Sequence, residues 1–151
     1  MPVEIREARP EDVSRIHELI VELAVFEKEP DSVHTTPEEL LEDGFGEHPA
    51  YKSFVAIEEG VILGFALTYV NYSTWNGKCL YLEDLCVTQA ARGKGIGSLL
   101  FERVVEEAKN RKVRRMDWQV LEWNEPAIEF YKKYEATLDG EWINGRLFFE
   151  R

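Results

Sequence analysis

Cysteine is scarce: Cys79 and Cys86 are the only two in 151 residues. They stand seven apart in what reads as one strand, so their side chains are expected to face opposite ways and a disulfide is not expected. No CxxC spacing occurs, which argues against zinc. Histidine is also sparse, and His17, His34 and His48 are too scattered to hold a metal. Long apolar runs are missing. The run from Val61 to Leu67 has the length of a strand, far below the ~20 residues that span a bilayer. The opening Met1-Pro2-Val3-Glu4-Ile5-Arg6 lacks the basic-then-apolar order of a secretory signal. A reduced, cytoplasmic chain is the expectation. Positive charge is in deficit as well. Lys and Arg total 18 against 29 Asp and Glu, a net charge of −11. That balance disfavours nucleic acid and anionic membranes as partners and favours a cationic one. Hydrophobic residues, at 44%, are enough for one buried core, so residues 1–151 are expected to form a single domain.

Periodicity orders the elements. Val3 to Glu7 alternates like a strand, and Pro10-Glu11-Asp12 opens a helix whose apolar positions are Val13, Ile16, Leu19, Ile20 and Leu23. Thr36-Pro37-Glu38-Glu39 is a capping-box start for a second helix that stops near Gly44 and Gly46. Strands follow at Tyr51–Glu58, Val61–Tyr72 and Cys79–Val87, with Glu59-Gly60 as a hairpin turn. A glycine-rich loop spans Gln89–Gly97, and Ser98–Arg111 reads as an amphipathic helix. Val113–Val120 is a fifth strand. Asn124 caps a helix running to about Tyr134, and Ala136–Leu138 and Arg146–Phe149 close as short strands. The pattern predicts an α/β layer architecture on a mixed sheet.

The loop Arg92-Gly93-Lys94-Gly95-Ile96-Gly97 lies between a buried strand and a helix. Glycines let backbone approach a ligand, and the free N–H groups of a helix start face an anion, which suits a pyrophosphate. A Walker A loop is excluded, because no Gly-Lys-Ser/Thr occurs. The dinucleotide fingerprint fits poorly, since Gly93-x-Gly95-x-Gly97 is not GxGxxG, although Asp117 stands at a ribose-binding distance downstream. Arg92-x-x-Gly95-x-Gly97 fits an Arg/Gln-x-x-Gly-x-Gly/Ala signature. A plain strand-to-helix turn is the remaining reading, but one glycine would suffice for it.

Carboxylates carry the second signal. Glu83 and Asp84 interrupt an otherwise apolar run, Cys79-Leu80-Tyr81-Leu82-Glu83-Asp84-Leu85-Cys86-Val87. Burying charge there is costly and needs a reason. One reason is proton transfer beside an amine: with a pKa of ~10.4, only about one amine in ~2,500 is an uncharged nucleophile at pH 7. The other is a structural ion pair or bulge. Neighbouring strand residues face opposite ways, so different roles are expected for the two. Ile128, Tyr131 and Tyr134 share a helix face, which by pattern alone reads first as packing. A tyrosine with a pKa near ~10 can also protonate a departing thiolate, whose thiol has a pKa near ~8.5.

The glycine loop resembles the acetyl-CoA pyrophosphate loop of the GNAT N-acetyltransferases. The likeness extends over nearly the whole chain. Asp43-Gly44-Phe45-Gly46-Glu47-His48-Pro49, Tyr81-Leu82-Glu83-Asp84, Glu122-Trp123-Asn124-Glu125-Pro126 and Phe130-Tyr131-Lys132 resemble the spermidine/spermine N-acetyltransferase family. Ser73-Thr74-Trp75-x-Gly77 resembles its thialysine branch. The resemblance implies the GNAT fold, with a mixed, mostly antiparallel sheet of about six or seven strands splayed into a V between strands 4 and 5. It implies a homodimer that moves acetyl from acetyl-CoA to a small polyamine, diamine or thialysine-like amino acid by direct attack. Acceptors on a protein lysine or N-terminus, and a non-catalytic acyl-CoA sensor, are the alternatives.

Site residues follow from the same resemblance. Glu83 is the water-mediated base, with Asp84 as its partner, and Tyr131 is the general acid. Backbone at Leu85, Cys86 and Val87 aligns the acetyl group. Arg92, Gly93, Lys94, Gly95, Ile96, Gly97 and Ser98 hold the diphosphate. Asn124, Glu125, Pro126 and Ala127 lie along the coenzyme, with Tyr134 beside them, while Asn124 also serves as helix cap. Phe26 and Glu27 correspond to amine-contacting positions, and Asp117, Trp118, Gln119 and Trp142 are further candidates. A cysteine acyl-enzyme at Cys86 is disfavoured in an apolar strand without an adjacent histidine. The family often has glycine where Glu135 stands, so a different local turn is expected there.

Overall fold

Caps decide where the helices begin in the computed structural model, which describes residues 2–150. Asp12 accepts a 2.7 Å hydrogen bond from the Arg9 N–H and pairs with Arg6 at 2.7 Å. These contacts close a 3-10 turn at Pro10–Asp12, and the first α-helix, α1, starts only at Val13 and runs to Phe26. Thr36 Oγ1 accepts from the Glu39 N–H at 3.1 Å and Pro37 takes the first helical position, so α2 spans Pro37–Phe45 as its cap predicts.

The strands are β1 (Glu4–Glu7), β2 (Lys52–Glu58), β3 (Val61–Ser73), β4 (Gly77–Val87) and β5 (Met116–Trp118). They form one sheet in the order β1-β2-β3-β4-β5. The first four are antiparallel and β5 is parallel to β4. Between β4 and β5 comes α3 (Ile96–Asn110), and α4 (Glu125–Lys132) follows β5. Glu59 and Gly60, with φ of 51° and 78°, make the tight β2–β3 turn.

Two apolar layers cover the sheet. On one face Val13, Ile16 and Leu19 of α1 and Leu40 of α2 pack on Val55, Phe65, Leu67 and Cys86. On the other, α3 buries Ile96, Leu100, Phe101 and Val104, and Phe101 meets Trp118 edge-on at 5.4 Å. Each such large side chain is worth roughly 1.5–3 kcal/mol when fully buried. Glu107 pins α3 to the sheet through Lys52 at 3.0 Å, and accepts from Arg111 at 2.8 Å.

Several expectations are corrected. Among the described residues the sheet has five strands, not six or seven. Ala136–Leu138 and Arg146–Phe149 form no strand. Alternation makes a strand only when a neighbouring strand supplies the ladder, and Leu147, Phe148 and Phe149 are all above 80% exposed. β5 holds three residues rather than eight, because it pairs with β4 only at Leu80–Leu82. Helix α3 begins two residues early, taking Ile96 and Gly97 out of the loop. The two cysteines share a face. Leu67 pairs with Asp84 and Thr68 with Leu82, which leaves Glu83 as an extra residue in β4. That bulge reverses the alternation, so Cys79 (opposite Asn71) and Cys86 (opposite Phe65) lie on the same side. Both are buried and free, and seven strand residues put roughly 20 Å between them.

The chain divides into two units, Met1–Gln119 and Val120–Arg151. The sheet with α1–α3 makes up the first, and α4 belongs to the second.

Candidate active site

Beyond Leu82, β4 has no β5 partner among the described residues. The pairing stops there because β5 ends at Trp118, and the stretch Glu83-Asp84-Leu85-Cys86-Val87 lies beyond it. Its C-terminal end leads into the glycine loop. Gly93 and Gly95 have φ of 82° and 81°, a left-handed conformation that glycine adopts freely, and nothing lies within 4 Å of where a Cβ would stand. Gly95 is the N-cap of α3, and the first intrahelical bond is Leu99 N–H to Gly95 O at 3.2 Å. The N–H groups of Ile96, Gly97 and Ser98 precede it, so the loop is an open, donor-rich turn at a positive helix pole. Those residues fit a diphosphate.

Arg92 is already engaged: its Nε donates to Val87 O at 3.0 Å and its guanidinium carbon lies 5.0 Å from the Phe26 ring centroid. Lys94 is exposed and makes no ion pair among the described residues.

Carboxylates converge on the α1 face. Asp84 shares that face with Leu67 through the register, and Glu83 is the exposed bulge residue. Glu27 closes α1 as its C-cap. A left-handed Lys28 (φ 65°) follows, with Lys28 N–H on Val25 O at 3.1 Å and Glu29 N–H on Ala24 O at 2.9 Å. This double-bonded helix stop fixes the direction of Phe26 and Glu27. Burial, then the charges of Glu83 and Glu27, push the Asp84 carboxyl up to about 7. Burial and Glu83 raise Glu27 in the same way, and also the Tyr69 phenol. A carboxyl poised near 7 can take a proton at neutral pH, and a cluster of mutually repelling acids is relieved by a bound cation.

Tyr69 stacks on Tyr81 at 5.1 Å on this face. Neither tyrosine is among the site residues expected from the sequence, although Tyr81 opens the Tyr81-Leu82-Glu83-Asp84 segment. Only the register, which sets Tyr81 opposite Asp117 on β5, brings them beside the acids. Arg115 pairs with Asp117 at 2.8 Å. Trp118 falls on the opposite, α3 face of the sheet, Gln119 lies past the end of β5, and Trp142 is 82% exposed.

Cys86 is buried, its Sγ donating to Leu19 O at 3.7 Å. Burial above all pushes its thiol up to about 12, which suits an inert packing residue. Among the described residues no group of His, Cys, Asp and Glu could hold a metal.

In the second unit Asn124 Oδ1 caps α4 by accepting from the Ala127 N–H at 3.3 Å, ahead of Glu125 and Pro126. Tyr131 is buried, with the Phe130 ring edge-on at 5.3 Å, and Tyr134 lies 5.5 Å from Phe130. Glu135 has φ 60°. The left-handed turn that glycine favours is thus kept, with a glutamate in it.

A separate cleft of about 480 Å³ opens among Lys52, Ser53, Tyr51, Thr68, Val70 and Arg111. It includes Tyr69 but neither the glycine loop nor the acid cluster.

Residues 14–135 match the acetyltransferase (GNAT) family, and the chain belongs to it. The protein is an N-acetyltransferase. It is 41% identical to the thialysine N-epsilon-acetyltransferase of Bos taurus over 89% of this chain and 84% of that protein. It is 37% identical to the human spermidine/spermine N(1)-acetyltransferase-like protein 1, over 85% of this chain and 19% of that one. Among solved structures, an integron cassette protein of V. cholerae matches with a TM-score of 0.79 at 27% identity, covering 99% of this chain and 94% of that one. A soil-metagenome aminoglycoside acetyltransferase shares the fold, with a TM-score of 0.79 at 18% identity over 98% of this chain and 97% of that one.

Proposed function

We propose that this enzyme moves the acetyl group of acetyl-CoA onto the primary amine of a small polyamine, diamine or thialysine-like amino acid. The observation that carries the reading is the acid cluster at the β4 bulge, where burial and the charges of Glu83 and Glu27 raise the proton affinity of Asp84, and burial and Glu83 raise that of Glu27. The glycine loop supports coenzyme binding at the other end of the same segment. Similarity to enzymes named for thialysine and spermidine/spermine supports the substrate class. Within that class the amino acid is favoured by the Arg115–Asp117 pair, which offers both signs of charge to a zwitterionic head group.

In this reading Glu83 and Asp84 hold the ammonium and accept its proton, directly or through water. The freed nitrogen attacks the thioester carbonyl, aligned by backbone groups of Leu85, Cys86 and Val87. As the C–S bond breaks, Tyr131 gives its proton to the departing sulfur, and the second proton, shed by the acylated nitrogen, restores the phenol through solvent. Gly93 to Ser98 and Asn124 to Ala127, with Tyr134, line the coenzyme, while the Arg92 side chain is turned back onto Val87 O and the Phe26 ring. Phe26, Glu27, Asp117, Gln119 and Trp142 are the amine-side candidates, while Trp118 packs on Phe101 on the other face of the sheet. One domain, a homodimer and a cytoplasmic location belong to the same reading. No helix among the described residues is long and apolar enough to cross a membrane.

The test is acetyl-CoA consumption, read by thiol release, against thialysine, lysine, spermidine, putrescine and a lysine peptide. Turnover of a small amine with the peptide inert is expected. Turnover of the peptide alone would move the acceptor to protein lysines. Coenzyme binding without turnover of any acceptor would leave a sensor.

A further inference from the structure

We infer that Arg92, although it opens the glycine motif, is a positioning residue that ties the coenzyme loop to the end of α1 bearing Phe26 and Glu27. Three contacts commit its guanidinium. Nε donates to Val87 O at 3.0 Å, a terminal nitrogen lies 3.9 Å from Glu22 Oε2, and the face covers the Phe26 ring at 5.0 Å. Glu22 and Phe26 are four apart on α1, so they share a helix face. Glu22 reaches further into the loop, accepting from Thr88 Oγ1 at 2.9 Å and from the Gln89 N–H at 3.0 Å. One carboxylate and one guanidinium therefore join the end of β4, the start of the loop and the last turn of α1.

The consequence is energetic coupling between two sites. Ordering the loop around a diphosphate steadies Arg92 and Glu22, and these steady Phe26 and Glu27, which wall the amine pocket in the proposed function. A bound coenzyme then raises amine affinity, and by linkage the amine raises coenzyme affinity by the same factor. Lysine cannot replace Arg92 in this role. An ammonium is a point charge, and it cannot donate along one edge while laying a planar face on a ring. Lys94 is left as the loop's available side-chain cation. This inference rests on the coenzyme and amine sites proposed above.

The experiment compares the full-length protein with Arg92→Ala, Arg92→Lys and Glu22→Gln. Calorimetry reads coenzyme A affinity, and amine affinity with and without coenzyme A. Thiol release reads kcat and both KM values with the best amine of the panel. For Arg92→Ala, coenzyme affinity is expected to stay within about threefold, while amine KM rises roughly tenfold and the coenzyme's enhancement of amine binding disappears. Arg92→Lys is expected to stay impaired, and Glu22→Gln to shift the amine terms in the same direction. The double variant should be no worse than Arg92→Ala, because the two residues act as a unit. Tenfold weaker coenzyme binding with amine KM unchanged would make Arg92 a phosphate ligand and overturn the proposal. Full rescue by lysine, or an enhancement that survives in Arg92→Ala, would overturn it too. If the unaltered protein neither bound coenzyme A nor released thiol, the proposed function itself would fail, before any variant is compared.

Discussion

In the proposed mechanism the departing sulfur depends on a single hydroxyl, that of Tyr131. It is buried in α4, where a stripe of Ile128, Tyr131 and Tyr134 reads equally well as packing. Substitution by phenylalanine keeps the ring and its edge contact with Phe130, so packing alone predicts almost no change. Acid catalysis predicts otherwise. Tyr131→Phe should lower kcat by roughly a hundredfold while coenzyme A affinity stays within about threefold. Thiol release and calorimetry separate the two readings, and unchanged turnover would remove Tyr131 as the acid. At this scale the sequence is most legible where a residue type has one physical use. Thr36 before Pro37 and Glu39 could only cap, and Gly93 and Gly95 mark left-handed backbone. Arg92 was legible as a charge and not as a contact, since its partners Phe26 and Glu22 lie far away in sequence. No local pattern announces such a pairing.

Strand β4 shows what one extra residue does to an element. Strict alternation would set Glu83 and Asp84 on opposite faces, and Cys79 opposite to Cys86. The bulge keeps Asp84 on the α1 face and exposes Glu83 at the point where β5 stops. Bulges depend on the partner strand's register, so no reading of β4 alone could locate it; the two acids in an apolar run were the only hint. The same limit explains the missing terminal strands and the short β5, since pairing is a property of two segments. Helices are local and were placed to within a few residues. The bulge also stores an instability with a definite pH signature. Folded Asp84 titrates at about 7, against ~3.9 when unfolded. Between those values the folded state holds the extra proton, so stability falls as pH rises from about 4 to 7. Asp84→Asn should remove that fall. Urea melts are expected to coincide near pH 4.5 and to favour the variant by a few kcal/mol at pH 8. Parallel curves at all pH values would show that Asp84 carries no raised proton affinity. Turnover should drop in the same variant, because in the proposed mechanism Asp84, with Glu83, accepts the proton of the ammonium.

Charge acts over the whole molecule. A net charge of −11 surrounds the substrates with a negative field, and the acid cluster at the bulge focuses it. In the proposed function a cationic amine is drawn in, whereas a polyanionic coenzyme is repelled everywhere except near the loop, where Lys94 and the α3 pole act at short range. Salt separates these effects, since the Debye length shrinks from ~30 Å at ~0.01 M to ~8 Å at ~0.15 M. Across that change kcat/KM for a dicationic diamine should fall severalfold. A thialysine-like amino acid, with its carboxylate, should fall less. For acetyl-CoA at saturating amine the long-range repulsion is screened away, so kcat/KM should hold steady or rise. The measurement is initial-rate kinetics at matched pH with a neutral salt, varying one substrate at a time. If both substrates lost efficiency in parallel, the salt would be acting on the protein's stability, not on encounter. If the diamine were indifferent to salt, the acid cluster would not be the amine's point of entry.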